Sequence, residues 1–337
     1  MIEKTEDRIS LHPQVEAYLD RLARFNFGEL HTFSIEQARE GMRRGTALLG
    51  EPETVAHVED RMLPLADEDI RIRIYTPEGE HPFPILMFFH GGGFVLGDLD
   101  THDGLCRGLA NGAESIVVSV DYPRAPERKF PAAPDVCFAA TQWVADHAAD
   151  IGGDPVRIAV GGDSAGGNLA TVVARMARDH GGPVLVFQLL IYPDLDFRRT
   201  NYSIREYAGK YGNISRATQH WFMDNYLTTE EEKLDPRVSP LLAPDLAGLP
   251  PTLLITAQYD ALRDEGEEYG RRLEAAGVPV TVSRYLGMIH EFIRLPFDDS
   301  AKARSEAAAA LRKAFTHQPS PHGRPVVTLE TGVDRNS

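Results

Sequence analysis

A serine lies between glycines in the run Gly-Gly-Asp-Ser-Ala-Gly-Gly at residues 161–167. The apolar run before it, residues 157–160, is typical of a short strand, and residues 165–178 after it favour a helix. A serine at such a strand-to-helix turn can attack a carbonyl carbon, so Ser164 is a candidate nucleophile. Glycine neighbours suit this task because the turn is strained and a substrate carbonyl must reach the amide of Ala165. The alternative is a glycine-rich connection without chemistry, since G-x-S-x-G also occurs by chance.

A second glycine motif, His-Gly-Gly-Gly at residues 90–93, follows a short apolar run that is typical of a buried parallel strand. Attack on an ester carbonyl places negative charge on its oxygen, and one preorganised N–H donor lowered such a barrier by about 3–4 kcal/mol in a measured case. We expect the backbone amides of Gly92, Gly93 and Ala165 to form this oxyanion hole. His90 is expected to hold the loop in shape. The alternative for the whole motif is a flexible turn.

A serine hydroxyl is a poor nucleophile without a base beside it. Among the 12 histidines, His290 is the preferred candidate because it follows a strand-like run at residues 278–285 and the turn residue Gly287. A loop beyond the carboxyl end of a strand is where α/β sheets place their sites. The alternative for His290 is an ordinary surface-loop histidine. His102 lies close to the second glycine motif, but the sequence offers no evident partner for it.

The acid of the catalytic group is expected after another strand-like run, residues 252–256. Asp260 follows that run after a short connection, and Asp264 and Glu265 are nearby alternatives. The two alternatives begin a helix-like stretch, residues 264–276, where acidic side chains stabilise the helix N-terminus without any catalytic role. We therefore expect Asp260 to orient the histidine and to stabilise the imidazolium that forms when the serine proton is taken.

These motifs, in this order, resemble the hormone-sensitive-lipase-like family (family IV) of bacterial carboxylesterases. The resemblance extends from about residue 58 to residue 315 and implies an α/β-hydrolase fold, with a mostly parallel central sheet, helices on both faces and a helical cap. It also implies a serine carboxylesterase that hydrolyses short- to medium-chain acyl esters through an acyl-enzyme intermediate, with no cofactor and no metal. Further blocks match the family in order, at residues 121–127, 130–133, 239–242, 249–251 and 260–266.

The chain departs from this family at two places. Pro123 and Arg124 follow Tyr122 where the family usually has Arg-Leu, and this difference is expected to alter the packing of the loop. Glu291 follows the candidate base where the family usually has glycine. A carboxylate there is expected to raise the pKa of His290 or to change the rim of the pocket.

Two alternative functions are compatible with the same fold. An amidase or a more specialised hydrolase can employ the same triad when the leaving amine is protonated. Some proteins that resemble this family are receptors that bind a small apolar acid under the cap and have lost the histidine. Because residue 290 is a histidine here, an enzyme is favoured over a receptor.

Strand-like and helix-like segments alternate along the chain, which favours a mostly parallel sheet covered by helices. The helix-like segments include residues 134–147, 165–178, 264–276 and 300–315. The strand-like segments are residues 70–75, expected as an outer strand, and residues 85–89, 116–121, 157–160, 184–191, 252–256 and 278–285.

The expected organisation is one core with a cap in two pieces. The two cap segments are expected to exclude water and to shape the acyl pocket, with Trp221 and Phe222 facing the core of the cap. In chain order the parts are an N-terminal helical part of the cap at residues 1–50, the first part of the core at 51–196, a cap insertion at 197–235, the second part of the core at 236–316, and a disordered tail at 317–337.

The composition disfavours several partners. With 35 basic and 50 acidic residues the formal net charge is −15, which disfavours binding to nucleic acid and to anionic membranes. The family resemblance implies a small-molecule ester as the partner. Cys106 and Cys137 are too few for a disulfide framework and are expected as core residues in helices. Residues 1–8 lack an apolar signal core, so a cytoplasmic location is expected. The resemblance also suggests a homodimer through the last strand, residues 278–285.

Overall fold

One sheet of eight strands lies within residues 10–25, 28–66, 69–212 and 214–316, which are the residues that the computed structural model describes. In chain order the strands are β1 (His57–Pro64), β2 (Asp69–Thr76), β3 (Phe83–Phe89), β4 (Ile116–Val120), β5 (Gly153–Asp163), β6 (Leu185–Ile191), β7 (Thr252–Ala257) and β8 (Val280–Tyr285). They lie side by side in the order β1-β2-β4-β3-β5-β6-β7-β8. Strand β2 is antiparallel to both of its neighbours and the other pairs are parallel, so the predicted mostly parallel sheet is confirmed.

Helices cover both faces of this sheet. In chain order, the α-helices of the described residues, including those away from the sheet faces, are α1 (Pro13–Phe25), α2 (Ile35–Gly45), α3 (Asp103–Ala113), α4 (Ala132–Asp146), α5 (Ala165–His180), α6 (Tyr202–Tyr207), α7 (Arg216–Tyr226), α8 (Arg263–Ala275) and α9 (Asp298–Thr316). Strand β3 separates the two layers, because Ile85 and Met87 belong to one apolar cluster with residues of α4 and α5, whereas Leu86 and Phe88 belong to another with residues of α3 and α9. A strand buried on both faces appears in the sequence as a continuous apolar run.

Most of the predicted helices are confirmed. Four of them correspond to α4, α5, α8 and α9, with ends that differ by at most two residues. Cys106 in α3 and Cys137 in α4 are free and buried, as expected. Among the described residues, no helix is both long enough and apolar enough to cross a bilayer.

The prediction that residues 70–75 form an outer strand of the sheet is wrong. Residues 70–75 were expected as an outer strand, but β2 lies between β4 and a further strand, β1. Strand β1 has no apolar run, because Leu63 is its one buried side chain and Met62 is 53% exposed. An exposed antiparallel edge strand needs few apolar residues, so the hydrophobic pattern gave no signal for it.

The two predicted cap segments, residues 1–50 and 197–235, contact each other. The Ser215 hydroxyl donates a hydrogen bond to the Glu29 carboxylate over 2.5 Å, and His31 Nδ1 lies 3.2 Å from Thr218 Oγ1. On the other side, Arg39 of α2 donates to the backbone carbonyls of Val95 and Ala125. The predicted tail at residues 317–337 lies outside the described residues, and so do residues 1–9 of the N-terminal segment.

Candidate active site

Ser164 lies at a strained turn between β5 and α5. Its backbone has φ 56° and ψ −119°, a conformation that non-glycine residues rarely adopt outside functional sites. The turn is also tightly packed, because a Cβ on Gly166 would overlap the carbonyl oxygen of Phe89. Glycine is therefore required two residues after the serine, which explains the second half of the G-x-S-x-G pattern.

The structure brings the three predicted catalytic side chains together. His290 Nε2 lies 3.0 Å from Ser164 Oγ, although 126 positions separate the two residues in the sequence. His290 Nδ1 lies 2.7 Å from Asp260 Oδ2, and the other carboxylate oxygen of Asp260 accepts a hydrogen bond from the Leu262 amide over 2.8 Å. All three candidate side chains are buried, so water does not compete strongly for these hydrogen bonds.

The two rival acids bind elsewhere. Asp264 accepts a hydrogen bond from the Ser203 amide and forms an ion pair with Arg263. Glu265 is buried and accepts hydrogen bonds from the amides of Leu195 and Asp196, and burial raises its pKa well above the usual range. Both residues lie in the first turn of α8, as predicted, but their carboxylates hold the segment after β6.

The charge environment of His290 favours the protonated imidazole. Burial alone lowers the pKa of His290, but the Asp260 carboxylate, through its charge and its hydrogen bond, together with the charges of Glu291 and Asp163, raises it to about 9. The ring also packs against Tyr192, with centroids 4.8 Å apart. This environment stabilises the imidazolium that forms when a base takes the serine proton.

The loop with the predicted oxyanion donors lies against the serine. Gly92 and Gly93 line the same cavity as Ser164 and His290. In the described part of the chain, the amides of Gly92 and Gly93 donate to no backbone carbonyl, so they remain available to a ligand oxygen. Ala165 is the first residue of α5, where the helix offers its N–H no internal partner.

His90 holds this loop in shape, as expected. It is fully buried, its Nδ1 lies 2.9 Å from the Gly91 carbonyl oxygen, and its ring stacks on Tyr122 with centroids 4.2 Å apart. The Tyr122 hydroxyl donates to the His90 carbonyl over 2.7 Å. Burial lowers the pKa of His90 to about 3, so this histidine stays neutral at physiological pH. Arg124, one of the two departures from the family, donates to the Gly97 carbonyl at the end of the same loop.

Two cavities of very different size meet at Ser164 and His290. The wide cavity has a volume of about 370 Å³ and reaches Tyr18 of α1, Met42 of α2 and Glu291. The narrow cavity has a volume of about 30 Å³, which is room for only a few atoms. Phe222 of α7 lines both cavities, and a Cβ on Gly93 would overlap its ring.

Glu291 adopts a left-handed backbone conformation, with φ 63°. Glycine adopts this conformation without steric cost, which explains why glycine is usual at this position of the family. The Glu291 side chain is exposed and lines the wide cavity, so it changes the pocket rim and also contributes to the raised pKa of His290.

Sequence reasoning missed several residues around the site. His102, for which no partner was evident, lies 3.2 Å from a carboxylate oxygen of Asp163. Tyr192 packs on the histidine ring, but nothing in its surrounding sequence distinguished it from a core tyrosine. The one available signal was Asp163 itself, a charged residue in a buried strand end next to the serine. Among the described residues, no group of three or more metal-binding side chains is placed to hold an ion.

Comparison with protein families matches residues 86–294 to a family described by the alpha/beta hydrolase fold. The carboxylic ester hydrolase LipN of Mycobacterium tuberculosis is 43% identical over 291 residues, which cover 82% of this chain and 76% of LipN. An ethyl acetate hydrolase of Pseudomonas putida is 36% identical over 299 residues, which cover 85% of this chain and 93% of that protein.

Solved structures of esterases share the fold. A Pyrobaculum calidifontis esterase superposes with a TM-score of 0.85 at 40% sequence identity, covering 90% of this chain and 98% of that one. A thermostable esterase from Pseudomonas putida superposes with a TM-score of 0.87 at 37% identity, covering 92% of this chain and 98% of that one.

Proposed function

Since the chain belongs to the α/β-hydrolase-fold family, in its hormone-sensitive-lipase-like branch, we propose that it is a serine carboxylesterase that hydrolyses short- to medium-chain acyl esters through an acyl-enzyme on Ser164. The observation that carries this proposal is the continuous chain of contacts from Ser164 Oγ through His290 to Asp260. The amides of Gly92 and Gly93 line the same cavity and donate to no backbone carbonyl of the described residues.

Each group of this site has a role in the proposed reaction. Ser164 Oγ attacks the acyl carbon while His290 Nε2 takes its proton, and Asp260 keeps the imidazole oriented and stabilises its positive charge. The carbonyl oxygen becomes an oxyanion and accepts hydrogen bonds from the amides of Gly92, Gly93 and Ala165. His290 then gives the proton to the leaving alcohol. Water then attacks the acyl-enzyme through the same steps and releases the carboxylic acid.

The sizes of the two cavities support an ester in which one of the two groups beside the ester bond is short. A chain of more than a few carbons does not fit a volume of about 30 Å³, whereas the wide cavity has room for a much larger group. The side chains around the narrow cavity include the aromatic rings of Phe94, Phe197 and Phe222. We propose that the short acyl chain occupies the narrow cavity and the alcohol part occupies the wide one.

Esters are preferred over amides in this proposal, because the similar proteins from Mycobacterium tuberculosis and Pseudomonas putida are named ester hydrolases, whereas the triad alone can serve both kinds of substrate. A p-nitrophenyl ester and the matching p-nitroanilide measure this preference directly. A receptor that merely binds a small acid is disfavoured, because His290 is present and lies within hydrogen-bond distance of the serine.

We also propose that two copies pair through β8. This strand is the last of the sheet order and is hydrogen-bonded to β7, and Val282 in its middle is 45% exposed. The last strand of a sheet presents unpaired backbone N–H and C=O groups, which favour pairing with another strand. Light scattering on the wild type and on Val282→Lys tests this, and a wild type that stays monomeric at all concentrations contradicts it.

The remaining proposals concern partners and location. A formal net charge of −15 supports a protein that binds neither nucleic acid nor anionic membranes, and the two free buried cysteines suit the reducing cytoplasm. Cell fractionation tests the cytoplasmic location.

Hydrolysis of p-nitrophenyl acetate and butyrate by the wild type, Ser164→Ala and Ser115→Ala tests the proposed activity. Ser115 is a matched control, since it is a fully buried serine whose hydroxyl has no hydrogen-bond partner in the described part of the chain. We expect activity in the wild type and Ser115→Ala and none above background in Ser164→Ala. An inert wild type, or an active Ser164→Ala, refutes the proposal.

A further inference from the structure

A buried histidine–aspartate pair lies behind the oxyanion loop and has no role in the mechanism above. His102 and Asp163 are each about 1% exposed, and His102 Nε2 lies 3.2 and 3.3 Å from the two carboxylate oxygens of Asp163. Neither residue is among the described residues that line the two cavities. His102 and Asp163 can therefore influence the active site only through the residues that they position.

Asp163 connects the nucleophile to the oxyanion loop. It is the last residue of β5 and directly precedes Ser164, and its Oδ1 accepts a hydrogen bond from the Gly91 amide over 2.9 Å. The contact is close, because a Cβ on Gly91 would lie 2.6 Å from Asp163 Oδ2. The next two residues of the chain are Gly92 and Gly93, so one carboxylate fixes the start of the donor loop relative to the serine.

His102 is held from its other side by Thr101, which in turn contacts the loop that carries His290. Its Nδ1 lies 2.9 Å from Thr101 Oγ1, and the Thr101 carbonyl accepts a hydrogen bond from Arg294 over 3.0 Å. Arg294 lies four residues after His290. Contacts of the pair thus reach the nucleophile, the oxyanion loop and the histidine loop.

His102 stabilises the negative charge of the buried Asp163 carboxylate. Burial alone raises the pKa of Asp163, but the adjacent His102, with Arg294 and the Gly91 amide, lowers it to about 2, so the group stays a carboxylate. A buried charge that loses its partner is strongly destabilised and moves toward any other donor or toward water. Without His102, the carboxylate keeps the Gly91 amide as a donor but loses the buried side chain on its other side, so its position relative to Gly91 is less well fixed.

We propose that His102 and Asp163 are positioning residues that aim the amides of Gly92 and Gly93 at the oxyanion formed on attack by Ser164. This inference rests on the proposed esterase function. Oxyanion donors act over 2.7–3.1 Å, and a displacement of about 1 Å can cost a factor of about 100 in rate. The binding of the uncharged substrate depends much less on these donors.

Two amide variants test the proposal with matched chemistry. In His102→Gln the longer side chain brings an N–H donor to the position of Nε2, next to Asp163, whereas in His102→Asn the amide stops short of the carboxylate. With p-nitrophenyl butyrate we expect kcat to fall roughly 10- to 100-fold in His102→Asn, with KM nearly unchanged, and to recover by most of that factor in His102→Gln. Phosphonylation of Ser164 by a p-nitrophenyl alkylphosphonate, which also develops charge on an oxygen in the hole, is expected to slow in parallel.

A stability control separates positioning from general destabilisation. Leu311→Ala removes a fully buried side chain of α9 that lines neither of the two described cavities, and the space left behind is expected to lower Tm. We expect kcat per folded molecule to be unchanged in this variant. Equal kcat in His102→Asn and His102→Gln, or a loss no greater than in Leu311→Ala, overturns the inference. An inactive wild type would instead refute the proposed function itself.

Discussion

Glu291 directly follows His290 and holds a negative charge beside the imidazole at the cost of a left-handed backbone conformation, with φ 63°. The family's usual glycine avoids the steric cost and carries no charge. This single position therefore links backbone strain, the rim of the wide cavity and the proton affinity of the candidate base.

The first prediction concerns the acid limb of the pH–rate profile. A general base must be neutral, and the pKa of His290 is raised to about 9, so kcat/KM of the free enzyme should rise with pH up to that region. Removing the Glu291 charge lowers this pKa. We therefore expect Glu291→Gln to shift the acid limb to lower pH by less than about one unit, because the side chain is exposed and screened, and the shift should shrink in 1 M salt.

Glu291→Gly provides the matched comparison, because it removes the charge and the backbone strain together. It should shift the acid limb as far as Glu291→Gln does and, unlike Glu291→Gln, stabilise the protein by up to about 1 kcal/mol. A profile that is the same in all three proteins would contradict the assigned influence of Glu291 on His290.

The second prediction concerns stability, which changes with pH in the opposite direction to activity. A histidine whose pKa is about 9 in the folded protein and near 6.5 in the unfolded chain binds its proton more tightly when folded. That stabilisation is fully present below about pH 6.5 and is lost as pH rises through about 9. The free energy of unfolding, measured in urea between pH 6 and 10, should fall more steeply in the wild type than in His290→Gln, and parallel curves would contradict this.

The glycine motifs predicted the local backbone around the candidate site, because each motif contains a position where a side chain would collide with neighbouring atoms. Gly166 must lack a side chain next to the Phe89 carbonyl, and the strand before Ser164 is buried on both faces. Such local demands appear directly in the sequence. The positions of His290 and Asp260 also followed from strand order, because both residues lie beyond the carboxyl ends of parallel strands.

Features that depend on distant contacts could not be predicted in this way. The edge strand β1 is exposed and polar, so it has no hydrophobic pattern. The partner of His102 is Asp163, 61 positions away, and nothing local to either residue pairs them. The left-handed backbone of Glu291 is imposed by the loop that carries His290, and a glutamate in the sequence gives no sign of it.

The third prediction separates the candidate acids. Asp260→Asn keeps the shape of the side chain but removes the charge that faces His290 Nδ1, and the equivalent change in a serine protease cost about 10⁴-fold in kcat. Asp264→Asn is the control, because that carboxylate binds Arg263 and the Ser203 amide instead. We expect a loss of kcat of several orders of magnitude in the first variant and a change of less than about threefold in the second. Comparable losses in both would contradict the assignment of Asp260.

The fourth prediction concerns acyl-chain length. Phe222 lines the narrow cavity, so Phe222→Leu should enlarge it and raise kcat/KM for p-nitrophenyl hexanoate relative to acetate. Each additional buried methylene contributes about 0.8 kcal/mol, so the ratio should change by up to about fourfold per accommodated methylene. Trp221→Leu is the matched control, since the neighbouring ring lines neither cavity among the described residues. An unchanged ratio in Phe222→Leu would mean that the acyl chain lies elsewhere.

The fifth prediction concerns the attachment of α2 to the oxyanion loop. Arg39 donates hydrogen bonds to the backbone carbonyls of Val95 and Ala125 and forms an ion pair with Glu127, and its side chain is 15% exposed. Hydrogen bonds from charged donors contribute about 1.5–3 kcal/mol each when buried, so Arg39→Ala should destabilise the protein by about 2 kcal/mol or more. The variant should also lower kcat, because Val95 follows the predicted oxyanion glycines within the same loop.

Arg44 on the same helix supplies the control for Arg39. Its side chain is 80% exposed and pairs only with Glu40 within α2 among the described contacts, and such exposed pairs contribute little. Arg44→Ala should therefore change the free energy of unfolding by less than about 0.5 kcal/mol and leave kcat unchanged. Urea unfolding and p-nitrophenyl butyrate kinetics on both variants decide the matter. If Arg39→Ala behaved like Arg44→Ala, α2 would not stabilise the donor loop, and the packing of the cap would have to act on substrate binding alone.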